Sequence, residues 1–182
     1  TNFISDFIPF FRLYKNALFE IRTKSINNTV FRKYDALTNC IVAYSLMPEI
    51  LAQKLDKKAP SVSARIKNMK YIVKKGWKVG LRFDPLIYCD NWKAEYAELF
   101  ANIFKEIKNE NIHSISLGPL RFPKGFFNKL LHYYPKTEEF SFLRSNDKGL
   151  VSYDQTLESE MNEYCRLELM KYSEARKFFS CG

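Results

Sequence analysis

The stretch Ser61-Val62-Ser63-Ala64-Arg65-Ile66-Lys67-Asn68-Met69-Lys70-Tyr71-Ile72-Val73-Lys74-Lys75-Gly76, followed at once by Trp77-Lys78-Val79-Gly80-Leu81-Arg82-Phe83-Asp84-Pro85, decides the fold class. Its first part has the helical period. Val62, Ile66, Met69, Ile72 and Val73 share one face, Ser61 has a hydroxyl to cap the first turn, and Gly76 supplies the stop. Its second part is a short β-rich run, and the spacing predicts a strand over residues 78–83. A helix feeding a strand this directly is part of a βαβ unit, which places the chain in the α/β class.

The alternation continues in both directions. Upstream lie a helical stretch over residues 2–14, strands over 18–23 and 40–45, and a weakly helical segment over 48–55. Downstream, Asp90 is placed to cap a helix on which Tyr96, Leu99, Phe100, Ile103, Phe104 and Ile107 recur at helical spacing. A fourth strand at 113–117, a short helix at 123–133 and a helical tail at 156–178 complete the expectation. Four parallel strands with helical crossovers either make a small doubly wound sheet or form the later part of a (β/α) barrel. No internal repeat and no low-complexity linker divides the chain, so 182 residues read as a single domain.

Bulk properties bound the function. An apolar content of 46% is ample for a core, and the apolar run at residues 7–11 is broken by Pro9. It falls far short of the roughly 20 residues that span a bilayer. No leader or transit segment opens the chain, so the expected compartment is the cytoplasm. It begins at Thr1 rather than Met, which leads us to expect a processed chain or a piece of a longer one. Cys40, Cys89, Cys165 and Cys181 stand far apart with no CxxC or CxxxCxxC spacing, so no metal site is expected and each reads as a small hydrophobe or idle thiol. Lys and Arg outnumber Asp and Glu by 29 to 20, a net charge of +9 that favours polyanionic partners without proving one.

In parallel α/β folds, ligands sit at the carboxyl ends of the strands. Here those ends are polar: Glu20-Ile21-Arg22-Thr23-Lys24-Ser25, Ala43-Tyr44-Ser45-Leu46, Leu81-Arg82-Phe83-Asp84-Pro85 and Leu117-Gly118-Pro119-Leu120-Arg121. A Lys, a Ser, an Asp and two Arg on one rim suit a ligand bearing carboxylate or phosphate; ordinary polar loops are the alternative reading.

These same segments carry a resemblance. Glu20-Ile21-Arg22-Thr23-Lys24-Ser25 and Ser45-Leu46-Met47-Pro48-Glu49 resemble the "E-x-R-T-K-S" and "S-L-N-P-E" segments of spore photoproduct lyases. Arg65 followed by Gly76 to Ile87 is similar to the family's "R... G-Y-x-V-G-F-R-F-D-P-I-I". Trp92 and Tyr96 match a following "G-W... Y", and Ser116 to Phe122 resembles "S-L-G-T-L-R-F". The ordered set, from about residue 18 to 134, is what makes the likeness specific; residues 135–182 read as a mainly helical tail.

The resemblance implies a partial TIM-like radical S-adenosylmethionine barrel of about four parallel strands, with a [4Fe-4S] cluster and S-adenosylmethionine as cofactors. It further implies DNA as partner and a 5′-deoxyadenosyl radical that abstracts hydrogen from a thymine dimer lesion, the spore photoproduct. By the same carry-over Lys24 contacts the cofactor, Ser45 hydrogen-bonds it, and Asp84 lies where the backbone approaches the nucleoside. Arg82 and Arg121 are candidate contacts to substrate phosphate, with structural salt bridges as the alternative. The departures are the absent CxxxCxxC loop, which implies a missing N-terminal cluster-binding half, in cis or as a separate chain. The hydrogen-returning thiol lies upstream of the matched region, and Met47 replaces the common Asn. Three readings stay open: part of a radical enzyme acting on DNA, a remnant without catalysis, or a noncatalytic basic nucleic-acid-binding module.

Overall fold

A computed structural model of the chain describes residues 3–135, 137–146 and 149–180. Asn2, the expected start of the first helix, and Cys181 lie outside these. The elements in order are α1 (Phe3–Leu13), β1 (Phe19–Thr23), α2 (Thr29–Lys33), β2 (Cys40–Ser45), α3 (Glu49–Leu55), α4 (Val62–Lys74), β3 (Lys78–Leu86) and α5 (Trp92–Glu106). They continue with β4 (Ile112–Pro119), β5 (Arg121–Pro123), α6 (Lys124–Tyr133), β6 (Arg144–Ser145), β7 (Leu150–Ser152), α7 (Gln155–Met170) and β8 (Phe178–Ser180).

The main sheet has five parallel strands in the order β1-β2-β3-β4-β8. A doubly wound sheet reverses its strand order at a switch point, whereas this order runs one way from edge to edge, as a barrel wall does. A separate antiparallel ribbon, β5-β7-β6, stands beyond the carboxyl end of β4.

Local chemistry explains most of these elements. Ser61 caps α4 by accepting from the Ala64 amide at 3.2 Å, and Gly76 ends it in the left-handed region at φ 87°. Asp154 caps α7 in the same way, accepting from the Thr156 and Leu157 amides. The cap expected at Asp90 is instead Asn91, whose φ of 57° belongs to a region that Asn tolerates better than most residues. The tail also departs from expectation: its helix stops at Met170, and Phe178–Ser180 turns back to pair with β4 as a fifth strand.

The register splits the sheet into two unlike faces. Ile21, Val42, Tyr44, Val79, Leu81, Phe83, Ile115 and Leu117 point one way and join a single core with Leu51, Ile66, Met69, Phe100, Ile103, Met161 and Cys165 of the helices. Glu20, Arg22, Ala43, Ser45, Gly80, Arg82, Ser114 and Ser116 occupy the alternate positions, so the helices cover one face and the polar side chains line the other. Among the described residues, no helix is long and apolar enough to cross a membrane.

Candidate functional site

The polar face is built in layers along the strands. In the layer nearest their amino ends, Arg82 is 2% exposed and donates from Nε to Glu20 Oε1 at 3.1 Å and from a terminal nitrogen to Glu20 Oε2 at 2.5 Å. It also donates to the Ser114 hydroxyl at 2.9 Å, the Ser114 carbonyl at 3.2 Å and its neighbour's carbonyl on Leu81 at 3.1 Å. Its guanidinium packs 4.9 Å from the centre of the Phe179 ring on β8. Such a fold-back needs Gly80: a Cβ there would sit 2.8 Å from an Arg82 nitrogen. The hydrogen bond from Arg82 outweighs the opposing effect of burial and holds the Glu20 carboxyl below its ordinary value.

One step up the strands, Asp84 pairs with Arg22 and accepts from the Ser116 hydroxyl at 2.7 Å. At the carboxyl rim, just past β1, Lys24 Nζ lies 2.6 Å from Asp56 Oδ1. Arg65 of α4, fully buried, donates to Asp56 Oδ2 at 2.9 Å, to the Ser45 carbonyl at 3.1 Å and to the Pro60 carbonyl at 2.9 Å. Burial raises the Asp56 carboxyl, but hydrogen bonds from Lys24 and Arg65 outweigh it and hold the group below its ordinary value.

The candidate residues therefore separate. Ser45 pairs in register with Arg82, and Asp84 follows on the same strand; Lys24 joins Ser45 through Asp56 and Arg65. Arg121 stands apart, exposed on the antiparallel ribbon beyond β4. All five N–H donors of Arg82 are used inside the sheet, which leaves none for a phosphate. Glu20, Arg22, Asp56 and Ser116 were given no individual role by the sequence reading. For Glu20, Arg22 and Ser116 the signal is the alternation itself, since Glu20, Arg22 and Lys24, then Arg82 and Asp84, then Ser114 and Ser116, stand at every second position of their runs; Asp56, at the end of α3, carries no such signal.

The described cysteines do not suit an iron-sulfur cluster. Cys40 at the start of β2 and Cys165 in α7 are fully buried, Cys89 follows β3, and no group of metal-ligating side chains forms among the described residues. The rim suits a different ligand: Lys24 and Arg65 against Asp56 leave one positive charge beside the Ser45 hydroxyl, which makes no hydrogen bond among the described residues.

The family model described as spore photoproduct lyase matches residues 10–147. The chain belongs to the spore photoproduct lyase family. Its fold is similar to that of a spore photoproduct lyase variant solved with bound AdoMet and dinucleoside spore photoproduct, with a TM-score of 0.72 and 15% identity. A spore photoproduct lyase complexed with dinucleoside spore photoproduct matches with a TM-score of 0.71, also at 15% identity. Each alignment covers 90% of this chain and 50% of the other, so the chain spans half the length of these lyases. The likeness establishes a shared α/β fold over that half. No curated protein sequence matches the chain.

Proposed function

We propose that this chain is the C-terminal, cofactor-contacting portion of a spore photoproduct lyase-like radical S-adenosylmethionine protein that repairs UV-induced thymine dimer lesions in DNA. The observation that carries the reading is the polar face of the sheet, with a positively charged cluster at its carboxyl rim. S-adenosylmethionine fits this donor set. Lys24 would pair with its methionyl carboxylate, the Ser45 hydroxyl would donate to the same ligand, and the backbone at Asp84 would approach the nucleoside, its side chain being held by Arg22 and Ser116. Held there, S-adenosylmethionine would supply a 5′-deoxyadenosyl radical for hydrogen abstraction from the lesion, one electron from a [4Fe-4S] cluster on the cluster-binding half breaking its C5′–S bond and releasing methionine.

A cluster-binding half, in cis or as a separate chain, belongs to the same reading. β1 is an edge strand with one unpaired side, and Phe3, Phe10, Leu13, Tyr14 and Leu18 around it are exposed. An open parallel edge beside an apolar patch is a surface that calls for a covering element. DNA as partner is supported by the net charge of +9 and by the ribbon. On the ribbon Arg121 and Arg144 are exposed, as are Phe126 on α6 and Phe142 just before β6, a set of cations and rings that suits phosphates and unstacked bases. The same reading keeps the cytoplasm as the compartment.

The test is calorimetric titration of the full chain with S-adenosylmethionine, repeated on Lys24→Ala. Losing a charge-assisted hydrogen bond of about 1.5–3 kcal/mol weakens binding by roughly 10- to 150-fold. Unchanged affinity overturns the role given to Lys24. Reading the DNA upstream of the Thr1 codon for a CxxxCxxC loop then decides whether the cluster-binding half is encoded in cis.

A further inference from the structure

We propose that Asp56, anchored by the buried Arg65, is a positioning residue that holds the Lys24 ammonium ready for a ligand carboxylate. The inference rests on the reading of Lys24 and Ser45 as cofactor contacts and adds the device that sets them.

A lysine ammonium on a four-carbon stem is a mobile point charge, and at 38% exposure the Lys24 side chain has open space in which to wander. A salt bridge to Asp56 Oδ1 at 2.6 Å removes that freedom but uses one of three N–H donors, leaving two for an incoming carboxylate. Asp56 is itself fixed. Its second oxygen is bonded to Arg65, and the same guanidinium bonds the Ser45 carbonyl at the end of β2 and the Pro60 carbonyl before α4. One buried cation thereby ties both candidate contacts, Lys24 and Ser45, into a single frame.

Two further features argue for a role beyond local folding. Asp56 is the C-cap of α3, where the helix dipole disfavours a carboxylate. A position that breaks a local rule calls for a compensating gain elsewhere, and here it finds two cations. The charges also differ from those of the deeper layers. Glu20 balances Arg82 and Asp84 balances Arg22, whereas Lys24 and Arg65 exceed Asp56 by one positive charge. A partly desolvated excess of this kind is neutralised by a ligand bearing one carboxylate.

Charge alone and positioning predict opposite results for Asp56→Asn. Removing the carboxylate makes the rim more positive, so a purely electrostatic role would tighten anion binding. A positioning role weakens it, because Lys24 loses its anchor. The experiment titrates the full chain and its Asp56→Asn and Asp56→Glu variants with S-adenosylmethionine and with 5′-methylthioadenosine, which lacks the carboxylate. Asp56→Glu keeps the charge and moves it by one methylene, which keeps the test available where Asp56→Asn does not fold. We expect S-adenosylmethionine affinity to fall by about tenfold in both variants, the scale of one charge-assisted hydrogen bond. Affinity for 5′-methylthioadenosine is expected to stay unchanged. Tighter or unchanged S-adenosylmethionine binding, or an equal loss for both probes, overturns the positioning role while leaving Lys24 as a contact. If Lys24→Ala binds S-adenosylmethionine as the parent chain does, or the parent binds neither probe, the cofactor reading itself fails and this inference with it.

Discussion

Glu20→Gln is the most direct test of how the sheet is held together. The substitution keeps the length and shape of the side chain and removes the carboxylate that faces Arg82. Leaving a deeply buried partner without its counter-charge costs about 3–5 kcal/mol, whereas an exposed pair contributes about 0–1 kcal/mol. This pair lies between the limits, since Arg82 is 2% exposed and Glu20 35% exposed on the opposite side of the bond. Glutamine still offers one oxygen, and the Ser114 and Leu81 contacts to Arg82 survive. We expect a loss of about 2 kcal/mol at pH 7, which with a urea slope of about 2 kcal/mol/M lowers the unfolding midpoint by about 1 M.

The pH dependence supplies an independent check. The folded Glu20 carboxyl lies below its ordinary value because Arg82 bonds the ionised form. Its stabilisation is therefore fully present above the unfolded value near pH 4 and is lost as the pH falls through the lowered folded value. The gap between parent and Glu20→Gln should close over that acid range, as followed by urea unfolding monitored by circular dichroism. Glu160→Gln is the control: its pair with Lys93 is about half exposed on both sides and should shift stability by less than about 0.5 kcal/mol. A loss at Glu20 no larger than that of the control, or a gap that does not change with pH, would refute the assignment of Arg82 to the sheet.

Two further predictions concern the same architecture. Gly80→Ala should cost about 1–3 kcal/mol by overpacking against the Arg82 guanidinium, measured by the same unfolding curves. Its effect should fall short of additive with Glu20→Gln, since both act on one side chain. Burial pushes the Cys40 thiol up to about 12 and Cys89 up to about 11, and Cys165 is raised further still. Alkylation by iodoacetamide at pH 8, read by peptide mass spectrometry, should leave Cys40 and Cys165 unlabelled in the folded chain, label Cys89 slowly, and label all three in urea. Rapid labelling of native Cys40 would contradict its place at the base of β2.

What the sequence could reveal followed the reach of its interactions. The helix at Val62–Lys74 was readable because its cap, its apolar face and its glycine stop lie within sixteen consecutive residues. The four long strands of the sheet were readable for the same reason. β8 was not: three residues following a tight turn hold strand geometry only because β4, some sixty residues earlier, offers an edge. The ribbon strands β6 and β7 are likewise too short to show a period, and pair across a turn. At the site, Lys24 and Ser45 stand where β1 and β2 end, whereas β3 runs on to Leu86 and leaves Asp84 one layer deeper, beside Arg22 and Ser116. Asp56 could not be placed from the sequence, because its partners stand 32 residues before it and 9 after, and nothing in a helix end announces them. Arg82 was open to two readings, a phosphate contact or a structural salt bridge, and the partners that engage it, Glu20 and Ser114 on other strands across the space left by Gly80 on its own, lie too far apart in sequence to be read from one run.

The inner face is not what stability alone would select. Buried ion pairs seldom exceed the benefit of well-packed apolar side chains of similar volume, because both charges lose their hydration. The opposite face of the same strands, filled with Ile, Val, Leu and Phe, is the better stabilising solution. Two neutral ion-pair layers nevertheless lead up to a rim cluster that carries one positive charge in excess. The balanced layers keep the interior polar without attracting an anion deep into the sheet, while the unbalanced layer attracts one where the strands end. That gradient suits the ligand proposed above, with one carboxylate at one end and a nucleoside at the other. The pleat of the strands puts the charged residues at alternate positions, and the charge that remains uncompensated is the outermost one.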